Sequence, residues 1–283
     1  MNRRWHAVRC GLARGRIEVR QHFVEAGDLI TILVFSAVGF IILLSLRHVT
    51  APGGDFSLGT LLVPGVIGMN IAYLGLGTIA AILVTDREDG TLLRAKIVPD
   101  GMTGYMVAKI IDGAASVLLG LVIPVGYGVL FFHGLAVGSA GSWLTLAWVL
   151  VLGLLATLPI GIILGSLLPS AKSANLLTPV AGGLIAISGV FYPITHLPHW
   201  LQPIGQVFPF YWAALGARSA LLPHTMAALE IGHSWRHWQT AAVLGAWAIA
   251  GLAVTPWVLR RMASRQSGSR VAAARDKQLQ RVG

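Results

Sequence analysis

The chain has 283 residues, of which 55% are hydrophobic and only 11% are charged. This composition, with a mean hydropathy of +0.73, excludes an ordinary water-soluble domain, in which roughly a quarter of the residues are charged. The formal net charge of +10 does not predict a nucleic-acid partner, because the basic residues flank long apolar runs. A single cysteine, Cys10, excludes an internal disulfide framework, and we expect no metal site.

Residues 1–28 are predicted to form a cytoplasmic amphipathic helix. At 100° per residue, five apolar side chains fall within an arc of about 60°, and arginines on the flanks would reach anionic headgroups of the inner leaflet. The apolar residues are Trp5, Val8, Leu12, Val19 and Phe23, and the arginines are Arg4, Arg9, Arg16 and Arg20. A disordered basic tail is the alternative, because Gly11 and Gly15 lower the helix propensity.

Six apolar runs are long enough to cross the bilayer as helices, since about 30 Å of hydrocarbon takes about 20 residues. They are residues 29–46, 61–84, 110–132, 143–168, 176–194 and 240–259. We therefore predict an all-α integral membrane protein, with a six-helix transmembrane domain at 29–259 and a basic cytoplasmic tail at 260–283.

The distribution of lysine and arginine predicts the orientation of these spans. Four of the flanking segments, 1–28, 85–109, 169–175 and 260–283, hold 18 of the 21 lysines and arginines. Because basic residues are retained on the cytoplasmic side during insertion, we expect a multi-pass protein of the plasma membrane with both termini in the cytoplasm. Five tryptophans are then expected near the outer headgroups. They are Trp143, Trp200, Trp212, Trp235 and Trp238.

The segment between the second and third spans, residues 86–98, concentrates charge and is called the coupling loop below. Its sequence is Asp86-Arg87-Glu88-Asp89-Gly90-Thr91-Leu92-Leu93-Arg94-Ala95-Lys96-Ile97-Val98. We predict a short helix that ends at Pro99-Asp100-Gly101. Its apolar face would be Leu92, Leu93 and Ile97, and its charged face Glu88, Arg94 and Lys96. An exposed helix of this kind is suited to docking a partner protein.

Residues 193–222, called the proline-rich segment below, contain a seventh apolar run at 201–222. A seventh crossing would place the basic tail outside, and Pro203, Pro209 and Arg218 interrupt the run. We therefore predict broken helices that form an outer re-entrant element, with a surface-lying element as the alternative. The residues selected in it are Pro193, Pro198, Trp200, Pro209, Tyr211 and Arg218.

Two motifs resemble those of type-2 ATP-binding cassette (ABC) exporter permeases, the family of multidrug and lipo-oligosaccharide exporters. The first is Glu88-x-Gly90-Thr91-Leu92, followed by Pro99 and Lys109. The second is Ser188-Gly189-Val190-Phe191-Tyr192-Pro193, then Leu197-Pro198-x-Trp200-Leu201, then Pro209-Phe210-Tyr211 and Arg218. Their order and spacing extend the resemblance over essentially the whole chain. The chain departs from the family at Trp212-Ala213-Ala214, where many relatives have an acidic residue or a histidine.

The resemblance implies that the coupling loop docks a separate ATPase subunit. The coupling residues are Asp86, Arg87, Glu88, Asp89, Gly90, Thr91, Leu92, Arg94 and Lys96. The sequence has no Gly-x-x-x-x-Gly-Lys-Ser/Thr motif, so we expect a transporter subunit that is not itself an enzyme and binds no cofactor, with ATP and Mg²⁺ used by the partner. A homodimer of this chain with two ATPase copies is implied.

The expected substrate is a hydrophobic drug-like or lipid-linked molecule, with a polysaccharide or lipo-oligosaccharide as the alternative, because aromatic residues are sparse within the spans. An ion-coupled carrier would need an ionisable group deep in a span. The only acidic residue in a predicted span, Asp112, is expected at the membrane interface or in a first helical turn. An intramembrane serine protease would need a glycine two residues before Ser188, where Ala186 stands.

Overall fold

The computed structural model describes residues 3–22, 24, 26–50, 57–170, 173 and 177–264. Apart from an isolated antiparallel bridge between Thr50 and Ser57, the regular structure of these ranges is helical. The α-helices are α1 (Arg3–His22), α2 (Ala26–Ser45), α3 (Leu58–Tyr73), α4 (Ile79–Glu88), α5 (Thr91–Ile97), α6 (Gly101–Phe131), α7 (Ala140–Leu167), α8 (Leu177–Ile187), α9 (Leu201–Val207), α10 (Pro209–Leu221) and α11 (His237–Ser264). A π-helical turn, Leu74–Thr78, joins α3 to α4.

Four helical runs in the described ranges are long and apolar enough to cross a membrane. They are Leu58–Glu88, Gly101–Phe131, Ala140–Leu167 and His237–Met262, and they contain most of the second, third, fourth and sixth predicted spans. In the other two predicted spans, α2 contributes the shorter apolar stretch Ser36–Ser45 and α8 has 11 residues. The first and fifth crossings therefore stay predictions.

The helix that contains the third predicted span begins before that span does. Helix α6 starts at Gly101, because Pro99 and Asp100 form a turn and the residues that follow continue directly into the apolar run. Asp112 therefore lies about three turns inside a helix and is buried. Of the two positions expected for Asp112, the first helical turn is therefore wrong, and the membrane interface stays a prediction.

Helix α7 is the central helix of the bundle and packs against α4, α10 and α11. Gly165 allows the contact with α4, since a Cβ at this position would lie 2.8 Å from the carbonyl oxygen of Ala80. A Cβ at Gly251 of α11 would lie 2.6 Å from the Cβ of Pro159 on α7. The small residues thus bring the backbones of neighbouring helices together, as is common among membrane helices.

Helix α1 packs along α6, and its two glycines make this contact possible. A Cβ at Gly11 would lie 2.5 Å from the carbonyl oxygen of Gly104, and one at Gly15 would lie 3.0 Å from Ile111. Trp5 and Leu12, on the predicted apolar face, are exposed. The residue Phe23 of that face lies outside the described residues.

The proline-rich segment folds as short pieces. Helix α8 ends at Ile187, and Gly189, just beyond this end, has a φ of +56°. The chain then continues through a 3-10 turn, Ile194–His196, into α9. Pro209 is the first residue of α10, a position that proline favours because its missing N–H needs no partner there. The segment packs at the end of the bundle opposite to α5.

Two of the five tryptophans do not reach the surface. Trp212 and Trp235 are each 3% exposed and belong to one apolar cluster with Tyr211 and Leu244. The short helices fold over them, so these two rings do not face lipid headgroups directly, and their depth in the membrane stays a prediction. Trp200 and Trp238 are exposed.

Candidate functional site

The coupling loop is a continuation of α4, a sharp turn and the short helix α5. Gly90 at the turn has a φ of +74°, a conformation that glycine adopts without strain. Leu92 is fully buried, whereas Ile97 is 78% exposed and Val98 is 57% exposed. The predicted apolar face is therefore divided, because α5 places Leu92 against the bundle and Ile97 on the opposite side.

The charged residues of the coupling loop have separate roles. The Arg94 guanidinium donates to the Thr91 hydroxyl at 3.0 Å, and Lys96 and Asp89 are exposed. Arg87 donates from Nη2 to the carbonyl oxygen of Leu168 at 2.6 Å. The loop is thus held to the end of α7 on one side and presents mixed charge with exposed apolar residues on the other.

Behind the loop lies a group of polar side chains that we call the junction cluster: Arg14, Glu18, Asp86, Tyr105 and Lys109. The ammonium of Lys109 lies 3.2 Å from Glu18 Oε2 and 3.0 Å from Asp86 Oδ2. Tyr105 donates its hydroxyl to Asp86 Oδ2 at 2.8 Å, and Arg14 pairs with Glu18 Oε1 at 2.8 Å. One lysine of α6 therefore joins α1 to the start of the coupling loop.

Burial makes these contacts dependent on one another. The Lys109 side chain is 8% exposed, with Glu18 and Asp86 at 16% and 17%. A buried ammonium is costly to desolvate unless carboxylates compensate it, and two carboxylates near each other need the shared cation. Lys109 thereby ties the first turns of α6 to the end of α4 and to α1, directly behind α5.

A second buried ion pair lies at the opposite end of the bundle. Arg218 of α10 places Nε 2.8 Å from Glu230 Oε1, with side chains 5% and 1% exposed. The Arg218 Nη1 donates to the carbonyl oxygens of Gly189 and Val190 at 3.0 Å and 3.2 Å. Burial, together with the charge of Glu230, raises the pKa of Tyr211 above its usual value.

The other residues selected in the proline-rich segment lie in different environments. Pro193 is half-buried and precedes the 3-10 turn, whereas Pro198 and Trp200 are exposed. Pro209 and Tyr211 are buried in α10. The structure therefore brings Tyr211 and Arg218 together and leaves Pro198 and Trp200 on the surface.

Two cavities are found at opposite ends of the described bundle. One of about 270 Å³ lies beside the junction cluster and is lined by Met102, Thr103, Met106, Pro256, Leu259 and Arg260. The other, of about 500 Å³, is lined by Arg47, His48, Ser57, Thr60, Phe131, Phe132, His133 and Gly134. The second combines aromatic and basic side chains.

Four polar residues of the two ion-pair sites were missed by the sequence reasoning: Arg14, Glu18, Tyr105 and Glu230. Arg14 and Glu18 carried a local signal, because they stand four residues apart on one helix. Tyr105 carried none, because its partner Asp86 lies on another helix. Glu230 had one, since it is the only acidic residue between positions 195 and 239. A lone carboxylate in an apolar segment with two arginines indicates an ion pair.

An all-helical bundle with four membrane-crossing helices is a multi-pass membrane protein. A family model described as "ABC-2 family transporter protein" matches residues 44–255. Because this match covers most of the chain, the protein belongs to the ABC-2 family of transporter permeases, which are membrane components distinct from the ATPase that normally works with them. The match begins after α1 and includes the coupling loop and the proline-rich segment. No curated protein matches the chain individually.

Proposed function

We propose that this chain is the membrane subunit of an ATP-driven exporter and that α5 docks a separate ATPase subunit. The observation that supports it most is the pairing of an exposed surface with a buried anchor. Ile97 and Val98 are exposed beside Arg94 and Lys96, whereas the residues behind them are fixed through Lys109. A partner that displaces α5 would thus displace α1, α4 and α6 with it.

In this proposal the protein lies in the plasma membrane, and the α5 end of the bundle faces the cytoplasm. The segments at that end carry most of the lysine and arginine, which are retained on the cytoplasmic side during insertion. Six helices cross the membrane, with α2 and α8 contributing the first and fifth. The proline-rich segment forms the outer re-entrant element, and both termini are cytoplasmic. Two copies of the chain associate with two ATPase subunits, which use ATP and Mg²⁺.

The proposed substrate is a hydrophobic drug-like or lipid-linked molecule. The cavity of about 500 Å³ supports this class, since Phe131 and Phe132 lie there beside Arg47 and His48. A pocket that places two aromatic side chains beside basic and hydroxyl groups can hold both parts of an amphiphile. A polysaccharide or lipo-oligosaccharide is the competing substrate class and is tested by competition in the same transport assay.

The docking proposal is tested with Ile97→Asp. Ile97 is 78% exposed, so the substitution leaves the fold intact but places a charge where an apolar contact is expected. We expect at least a tenfold loss of copurification with the Walker-motif ATPase encoded beside this chain, and an equal loss of ATP-dependent efflux from proteoliposomes.

The matched control is Asp100→Asn, which changes a charge at the same end of the bundle outside the coupling loop. Asp100 is exposed and has a φ of +54°, a conformation that asparagine tolerates. Copurification should stay within twofold of the parent. Transport that survives ATP depletion but stops when the proton gradient is collapsed would instead identify an ion-coupled carrier.

A further inference from the structure

Glu230 is buried in a position where a carboxylate is costly. Its side chain is 1% exposed, and it lies between two short 3-10 turns, His224–Leu229 and Ile231–His233. A carboxylate is desolvated at such a site only when a cation compensates it. The Nε of Arg218, 2.8 Å from Glu230 Oε1, supplies the charge.

Arg218 in turn holds a third piece of chain. Its Nη1 donates to the carbonyl oxygens of Gly189 and Val190, which follow the end of α8 and precede α9. These carbonyls lack helical partners because the chain leaves the helix at Gly189, where φ is +56°. The planar guanidinium presents several N–H groups in a fixed geometry, so one side chain joins the α8 exit turn, α10 and the segment around Glu230.

Several buried polar atoms around this contact lack a hydrogen-bond partner within the described ranges. Arg218 Nη2, Glu230 Oε2 and the Ser188 hydroxyl are buried and have no hydrogen-bond partner among the described residues. A contact serving stability alone would be expected to satisfy such atoms. The one further charged side chain nearby, within the described part of this region, is Arg236, which donates to Gln206 Oε1 at 2.8 Å.

We infer that Glu230 is a positioning residue for the release of substrate at this end of the bundle. It holds Arg218 against the carbonyls of Gly189 and Val190 and so keeps the exit of α8 closed over Ser188. Release toward the outside rests on the proposed export function. The closed contact does not, because it is tested by the access of solvent to Ser188 alone. The open polar atoms allow the guanidinium to change partners when the exit turn moves.

The test uses a buried reporter in the full chain. The only cysteine, Cys10, is replaced by serine, and Ser188→Cys is introduced. This substitution is nearly isosteric and breaks no hydrogen bond, since the Ser188 hydroxyl has no partner among the described residues. Labelling by a maleimide is measured on the detergent-solubilised protein, so that the rate does not depend on which side of the membrane this end of the bundle faces. We expect slow labelling in this parent and at least a tenfold faster rate after Glu230→Gln, because a neutral amide holds Arg218 less strongly.

Arg236→Asn is the matched control, since it removes a positive charge from the same region without affecting the Gly189 and Val190 carbonyls. Its labelling rate should stay within twofold of the parent. If Glu230→Gln does not accumulate in the membrane, Glu230→Asp is used, which keeps the charge but shortens the reach, and the same acceleration is expected. An unchanged labelling rate in the accumulated variant overturns the inference.

The transport readout separates this inference from the proposed function. In proteoliposomes with the ATPase partner, Glu230→Gln should lower ATP-driven efflux at least fivefold while ATP hydrolysis stays within twofold of the parent. If the parent itself shows no ATP-driven efflux, the export proposal fails and the labelling result still decides the role of Glu230. Equal losses of efflux and hydrolysis would indicate general damage and count against a positioning role.

Discussion

The two ends of the molecule each contain a buried cation that joins three pieces of chain, but they use different chemistry. In the junction cluster the Lys109 ammonium lies between two carboxylates that are 16% and 17% exposed. At the other end Arg218 meets a carboxylate that is 1% exposed and two backbone carbonyls. The first contact is near enough to water to be relaxed, whereas the second cannot lose a partner without leaving a buried charge.

The choice of cation fits each geometry. Lysine is a compact charge on a flexible stem, and it can satisfy carboxylates that approach from α1 and α4 on different sides. Arginine has a rigid fork, which suits the consecutive carbonyls of Gly189 and Val190 together with one carboxylate. The comparison predicts that the cost of breaking each contact follows burial and not the number of charges involved.

The largest effect on stability is expected from Arg218→Ala. Removing one member of a buried ion pair typically costs about 3–5 kcal/mol, and here two carbonyls lose their donor as well. The double variant Arg218→Met with Glu230→Leu removes both charges and should recover part of this loss. Unfolding of the detergent-solubilised protein by heat and denaturant gives the comparison, and a double variant less stable than Arg218→Ala would contradict it.

A smaller loss is expected from Lys109→Met. Glu18 and Asp86 would lose their shared cation, but both retain some access to water, so the loss should be about 1–3 kcal/mol. Adding Glu18→Gln and Asp86→Asn removes the remaining repulsion and should restore part of the stability. If Lys109→Met proves more damaging than Arg218→Ala in the same unfolding measurement, burial does not determine the difference between the two ends.

The sequence predicted the parts of the fold that depend on local pattern. Apolar length identified the four long apolar helices, and Pro99 marked the end of the short helix α5. The break at Gly90, which leaves Glu88 in α4 and not in α5, was not predicted. The broken helices around Pro209 were also predicted, because proline removes a donor and restricts its neighbour. These features depend on residues close together in the chain.

The contacts that organise the two ends could not be predicted in the same way. Lys109 was selected as part of a motif, but its pairing with Glu18 joins helices far apart in sequence. Ile97 was assigned to one apolar face with Leu92, because the pattern of a short helix does not say which of its apolar residues meets the bundle. Gly11 was taken as a weakness of α1, although the glycine is what lets α1 approach α6.

The smallest effect on global stability is expected from Gly11→Ala, which breaks the junction sterically and leaves every charge in place. The new Cβ would lie 2.5 Å from the carbonyl oxygen of Gly104, and backbone cannot yield as a flexible side chain can. Because α1 lies at the edge of the bundle, it can separate from α6 without unfolding the other helices. Glu18 would then move away from Lys109.

We expect hydrogen exchange in α1 to accelerate at least tenfold in Gly11→Ala, with the amides of α7 unchanged. The matched control is Gly245→Ala in α11, where an added Cβ meets nothing within 4 Å among the described residues and alanine favours the helix. If α1 separates and ATP-driven efflux falls while Asp86 and Lys109 are intact, α1 is part of the coupling machinery. Full efflux with a separated α1 would restrict that role to α4, α5 and α6.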